Sequence, residues 1–381
     1  MANTETRMES ARIESALARY RPQITRELRR AVRAAAGMTP STPASAQRLE
    51  SFYAQIEYHL GWRHPDLSTA KAHPGKLLRP TLLLLACELG AERRGADQAE
   101  RAEAVERALP GAACVELVHN FSLIHDDIED GDETRRHRPT LWSLWGVPQG
   151  INTGDGLFSL ARAGLWELPA RGVSPAVVVR LADRLDRTCL ELCEGQYLDM
   201  SFEGRNDITV AMYLDLLGRK TAALMACATH MGALIGAPED EALAEQMERF
   251  GRALGLAFQL RDDLLGIWAP TSELGKTQAG DLRRKKVTLP VIHARESASA
   301  EDREVIARAY AGEGEMAREQ IASVMAILER SGARERVRQE LHTQAVAARS
   351  ALESAGEGDG AEEGPREALA SLLRFVSAAA E

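Results

Sequence analysis

An all-α fold is what this sequence predicts, and three observations predict it. Apolar residues recur with helical spacing through almost every stretch between breaks. Aromatics make up only 5% of the chain, while Ala and Leu abound, a composition that favours helices over pleated sheets. No stretch alternates apolar and polar residues between hairpin turns. With 381 residues, 45% hydrophobic and 27% charged, the chain has globular composition and the length of one large domain or two ordinary ones.

The elements follow from the breaks. Gly- and Pro-containing interruptions fall at 37–43, 64–75, 90–95, 131–139, 146–150, 172–175, 204–207, 236–240, 270–280 and 356–365. Between them lie stretches of roughly 15–30 residues, each long enough for several helical turns. Residues 1–36 interleave eight arginines with Glu5, Glu9, Glu14 and Glu27. A targeting segment avoids such acids, so a solvated helix is expected there, as an N-terminal helical extension over 1–42. Residues 43–354 are expected to form one all-α domain of antiparallel helices around a deep central apolar cavity. Residues 355–381 are expected to form a flexible Gly- and Glu-rich loop and a last helix. The stretch 114–124 is too apolar for a surface helix and should be central. Its acidic end must then face a cavity or a metal, because buried unpaired carboxylates are costly. The stretch around Phe258 to Leu265 reads the same way.

Charge and cysteine usage narrow the classes. A net charge of −9 argues against nonspecific nucleic-acid binding. No apolar run approaches the roughly 20 residues of a membrane span. Cys87, Cys114, Cys189, Cys193 and Cys227 fit no disulfide framework and no zinc spacing. They are expected to be buried and reduced, which points to a cytoplasmic protein.

Two acidic pairs carry the chemistry. The first is Asp126-Asp127 in a run that ends at Asp130; the second is Asp262-Asp263. Asp126 and Asp130 are four apart and share one helix face. Such carboxylates repel one another unless a hard cation such as Mg²⁺ lies between them and a phosphate-bearing ligand. Cations accompany them: Lys76 and Arg79, Arg135 and Arg136, Lys220, Lys276, Lys285 and Lys286. Arg offers a fork and Lys a point charge to phosphate oxygens. Two metal clusters among several cations can hold two polyanions, one through metal and one through cations.

In this order, those residues resemble a trans-isoprenyl diphosphate synthase of the polyprenyl synthetase family. The motifs are Gly75-Lys76…Arg79-Pro80, His119…Asp126-Asp127-Ile128-Glu129-Asp130, Arg135-Arg136…Pro139-Thr140, Gly154-Asp155, Glu194-Gly195-Gln196, Lys220-Thr221, Gln259…Asp262-Asp263, Gly275-Lys276 and Asp281…Lys286. They span residues 55 to 295; beyond that only helical character matches. The resemblance implies an all-α bundle around an apolar pocket, usually a homodimer. It implies Mg²⁺ as cofactor, three ions with substrate bound. Asp126 and Asp130 would bind the metal from one side and Asp262 from the other, with Asp127 and Asp263 supporting. Arg135, Lys220 and Lys276 would hold an allylic diphosphate. Lys76, Arg79, His119 and Arg136 would hold isopentenyl diphosphate. Thr221, Gln259 and Lys286 would complete the polar lining.

This chain departs from the family pattern at three positions. Gly266 stands where the second motif commonly ends in an acid, Leu77 replaces a basic residue, and His137 replaces a common glycine. An aromatic at Phe121, with Ser122 and Leu117 on the same helix, suggests a short pocket and a C15–C20 product, leaning to geranylgeranyl diphosphate. A class I terpene cyclase would have no use for Lys76, Arg79, His119 and Arg136. A non-catalytic regulatory subunit would be expected to lack part of the first motif, which is whole here.

Overall fold

The computed structural model describes residues 2–38, 42–70, 75–269, 279–312, 314–356 and 364–378, with side chains from Glu9 onward. Helices dominate them, as the periodicity implies. The strands among them are the pairs Thr134–Arg135 (β1) and Arg138–Pro139 (β2), which form one small hairpin.

The chain opens with α1 (Ala2–Ala35), then α2 (Pro43–His59), where the Thr42 hydroxyl caps the Ser45 N–H and Pro43 takes a first-turn position. Next come α3 (Leu78–Arg93) and α4 (Gln98–Glu129). The start of α4 is fixed by a reciprocal capping box between Asp97 and Glu100. After the hairpin follow α5 (Leu141–Trp145), α6 (Val147–Leu165), α7 (Pro175–Phe202) and α8 (Val210–Leu217). A π-helical turn at Gly218–Ala222 joins α8 to α9 (Ala223–Gly236). Then come α10 (Glu241–Trp268), the short α11 (Gly280–Arg283), α12 (Leu289–Ser297), α13 (Ala300–Tyr310), α14 (Arg318–Arg330), α15 (Ala333–Ser354) and α16 (Pro365–Ser377).

The middle of the bundle is α9, which packs against α3 and α10. Every residue of α9 except His230 is buried, as expected for a helix that is apolar all round. Helix α4 packs against α3, α6 and α9 and is buried continuously from Ala108 to Val118. Its apolar body is therefore central, as the sequence suggested.

Helix α1 is more than a solvated helix. Leu17, Tyr20, Ile24, Leu28, Ala31 and Val32 are buried at spacings of one to four residues, so one face lies in the core while the arginines line the rest. Helix α16 packs on α1, and Arg374 Nε donates to Glu9 Oε1 at 2.8 Å while Arg12 Nη1 donates to Glu367 at 3.1 Å. Most of the loop expected before the last helix, 357–363, lies outside the described residues. Four of the five free cysteines are buried, but Cys193 is exposed, because it falls on the outer face of α7. No helix of the described residues is long and apolar enough to cross a membrane.

The buried face of α1 makes a prediction. Ile24→Ala should cost about 2–5 kcal/mol of stability in urea unfolding. Leu49→Ala, at a position 38% exposed, should stay within about 0.5 kcal/mol of the parent.

Candidate active site

The last turn of α4 presents three acids in three environments. Asp127 is buried and accepts a hydrogen bond from Arg135 Nε at 2.5 Å. Asp126 is half-buried and Asp130, at the C-cap, is exposed. Burial raises the carboxyls of Asp126 and Asp127 to about 6 and also raises Asp130; for Asp126 the charge of Asp130 adds to the effect. Arg135 and Lys220 oppose these shifts.

Lys220 comes from the π turn, a feature frequent at functional sites. Its ammonium donates to Asp199 on α7. Burial works against its charge, but Asp126 and Asp199 more than offset that, and its pKa is raised. Gly195 makes this approach possible, since a side chain there would collide with the Lys220 backbone. Gln196, next along α7, donates to Glu129 at 2.7 Å. The sequence motif Glu194-Gly195-Gln196 thus seats the π turn and the acidic end of α4 against one helix.

The second pair, on α10, divides differently. Asp262 is exposed, whereas Asp263 is buried. Asp263 accepts from Tyr213 Oη at 2.8 Å, from the Leu289 N–H at 3.3 Å and from Gln259 Nε2 at 3.4 Å. Burial still lifts its carboxyl to about 6. Asp263 therefore ties α10 to α8 and to the start of α12. Gly266 lies one turn beyond Asp262, and a side chain there would run into the Asp281 carboxylate. Where the family pattern has an acid on α10, this chain brings a carboxylate in from α11, and Arg284 Nη2 holds it at 2.9 Å.

A basic group gathers upstream on α4. Arg79 Nη1 lies 3.3 Å from His119 Nε2. Burial, then the nearby Arg79 and Arg136 charges, push the His119 pKa well down. His59 on α2 joins the group, pushed down to about 3 by burial and by Arg136, Arg135 and Arg138. Beneath them Glu116 is buried, its carboxyl raised to about 7 by burial and opposed by Asn120, Arg79 and Arg136. Asn120 Nδ2 donates to Glu116 Oε1 at 2.9 Å. Asn120 Oδ1 and Arg79 Nε are buried with no hydrogen-bond partner among the described residues.

Arg136 lies against Gly75, where an added Cβ would sit 2.9 Å from Nη1. Lys76 is exposed. Leu77 adopts φ 55 and is buried in the core, so this departure from the family pattern points inward. Thr221 Oγ1 donates to Gln259 Oε1 at 3.4 Å, and Lys286 is exposed near Asp263. Lys276 lies outside the described residues.

One turn below Asp126, Phe121 packs edge-to-face on Phe158 (centroids 5.2 Å apart) and on His125 (5.8 Å). Phe121 and Leu117 are buried, and the Ser122 hydroxyl donates to the His119 carbonyl at 2.9 Å. The His125 ring fills the space beside Gly154, where a Cβ would collide with it.

Among the described residues no three or more His, Cys, Asp or Glu side chains form a ready metal cage. The arrangement can bind polyanions between an acidic, oxygen-donating side and a basic side of one helix. Sequence reasoning missed Asp199, Glu116, Asn120, His59 and Tyr213. Of these, only Glu116 carried a signal, as an acid inside an apolar helix.

The polyprenyl synthetase family model matches residues 66–328. The geranylgeranyl diphosphate synthase of Mycobacterium tuberculosis is 46% identical over 242 residues, 64% of this chain and 65% of that protein. Such an alignment spans just under two thirds of the relative. A short chain isoprenyl diphosphate synthase of Methanothermobacter thermautotrophicus is 40% identical over 79% of this chain and 86% of its own length. The polyprenyl synthetase of Streptomyces coelicolor A3(2) superposes with a TM-score of 0.80 at 35% identity, covering 96% of this chain and 99% of its own.

Glu116 gives a pH prediction. A carboxyl raised in the fold contributes stability that is complete below its unfolded pKa and lost as pH rises through about 7. Glu116→Gln removes that loss. Its melting temperature should exceed the parent's at pH 8, and the gap should shrink towards pH 5.

Proposed function

This chain belongs to the polyprenyl synthetase family, and we propose that it is a short-chain trans-prenyltransferase. It condenses isopentenyl diphosphate with dimethylallyl, geranyl or farnesyl diphosphate to give a C15–C20 prenyl diphosphate, geranylgeranyl diphosphate foremost. One observation carries the reading. Helix α4 bears Asp126 and Asp130 facing Lys220 at its end, and His119 beside Arg79 two turns earlier. An acidic and a basic anion site on one helix suit two diphosphates held close together. The names of the relatives support the chemistry and the short product.

The donor set suits Mg²⁺, which Asp126 and Asp130 would hold on the α4 side and Asp262 on the α10 side. When bound, the ions would neutralise charge that builds on the leaving diphosphate. Arg135, Lys220 and Lys276 grip the allylic diphosphate and stabilise the same charge as its C–O bond breaks. Lys76, Arg79, His119 and Arg136 hold isopentenyl diphosphate so that its double bond faces the allylic carbon. Thr221, Gln259 and Lys286 line the polar part. The new C–C bond forms, and a proton leaves to the departing diphosphate. Leu117, Phe121 and their neighbours keep water from the cation and receive the tail.

A terpene cyclase would not use the basic set around His119, and a regulatory subunit would not need the intact first motif. Neither reading draws support from the relatives. Large apolar side chains exposed on α6 and α7, Val147, Ile151, Leu190, Tyr197 and Met200, support the homodimer. The free cysteines support a cytoplasmic location.

The test is product identification with Mg²⁺, isopentenyl diphosphate and each allylic diphosphate in turn. Elongation to C15–C20 alcohols after dephosphorylation is expected. No elongation from any primer, or a cyclic hydrocarbon, would overturn the reading. Asp126→Asn should lower kcat by about 10²-fold or more, the scale seen when one transition-state charge partner is lost. Phe121→Ala should shift the products to longer chains; an unchanged length would remove Phe121 as the floor.

A further inference from the structure

The turn that carries Arg136 is held in an unfavourable backbone conformation, in part by contacts that lie outside the binding site. In the hairpin, Thr134 pairs with Pro139 and Arg135 with Arg138, leaving Arg136 and His137 as a two-residue loop. Their φ angles are 51° and 61°. A loop with both central residues in the left-handed region favours Asn-Gly, and neither residue here is of that kind. Something else must hold it.

The end of α2 and the turn after it do so. Arg138 Nη1 donates to the Tyr58 carbonyl at 3.2 Å and Nη2 to the Arg63 carbonyl at 2.6 Å. The same guanidinium stacks 4.3 Å over the Tyr58 ring. In return Tyr58 Oη donates to the Pro139 carbonyl at 2.7 Å. Trp145 packs edge-on against Tyr58, with ring centroids 5.1 Å apart. Tyr58 is buried. On the other strand Arg135 is fixed by Asp127. The loop between these anchors lays Arg136 along Gly75, beside the start of α3 that carries Arg79.

We propose that Tyr58 and Arg138 are positioning residues for diphosphate binding. They clamp the strained Arg136–His137 turn so that the Arg136 guanidinium is set before the ligand arrives. Arg138 commits both terminal nitrogens and its face to α2 and the turn that follows it, so it acts through Arg136. Preorganisation of this kind improves affinity by removing the ordering cost on binding. The inference rests on the proposed function, because it takes isopentenyl diphosphate as the anion at Arg136.

The experiment uses the full chain and four variants: Tyr58→Phe, Arg138→Ala, His137→Gly and the double variant Tyr58→Phe/His137→Gly. Calorimetry reads isopentenyl diphosphate binding, steady-state kinetics separates KM from kcat, and thermal melts report folding. Tyr58→Phe keeps the ring under Arg138 and loses only the hydroxyl, so it should fold. Its KM and Kd for isopentenyl diphosphate should rise about 5-fold, and those of Arg138→Ala about 10-fold or more, with kcat within about 2-fold, as expected for lost ground-state binding. His137→Gly relieves the turn and should leave affinity near the parent's. In the double variant it should recover part of the loss, which a purely structural contact would not show. Parent-like affinity in Tyr58→Phe and Arg138→Ala, with or without a lower melting temperature, overturns the clamp. A parent protein that neither binds nor elongates isopentenyl diphosphate overturns the functional reading instead.

Discussion

A helix that is apolar for most of its length and acidic at its end sets the problem that the rest of this molecule answers. The body of α4 must be buried, and its packing against α3, α6 and α9 buries it. That burial draws Asp126 and Asp127 towards low dielectric, where their charges are unfavourable and their pKa values climb. Arg135 answers Asp127 directly, and Lys220 answers Asp126 from the π turn. Negative charge still outweighs positive at this end, which is the condition for recruiting a divalent cation.

The basic side is built with the opposite bias. His119 and His59 are kept neutral by burial and by the surrounding guanidiniums, and Glu116 supplies one buried acid beneath them. Arg79 retains an unsatisfied buried N–H. In the proposed reaction an incoming diphosphate would add anionic oxygens beside Arg79, His119 and Arg136. Acid at one end and base two turns earlier give α4 a polarity along its axis, which suits the two anions of the proposed reaction.

Much of this was legible in the sequence because it is local. The four-residue spacing of Asp126 and Asp130, the adjacent Arg135-Arg136 and the apolar run ahead of them lie within one stretch and needed only helical geometry. What was not legible depends on contacts between distant segments. Asp199 meets Lys220 only because α7 crosses the π turn at Gly195. Asp263 looks like half of a metal pair, yet its partners Tyr213 and Leu289 make it a brace between helices. Asp281 reaches the space beside Gly266 through a turn that no periodicity describes. Helix α1 read as solvated because its arginines mask a narrow buried stripe that appears only when α16 and the core are in place.

The central claim is that two diphosphates are held by different means, one through Mg²⁺ on the acidic end of α4 and one by cations alone. Calorimetric titration of the unmodified protein with isopentenyl diphosphate and, separately, with a non-ionising allylic diphosphate analogue tests it most directly. Each titration is run with Mg²⁺ and with chelator. The account predicts that isopentenyl diphosphate binds with similar affinity in both conditions, while the allylic analogue binds only with Mg²⁺. Equal Mg²⁺ dependence of the two ligands would contradict it.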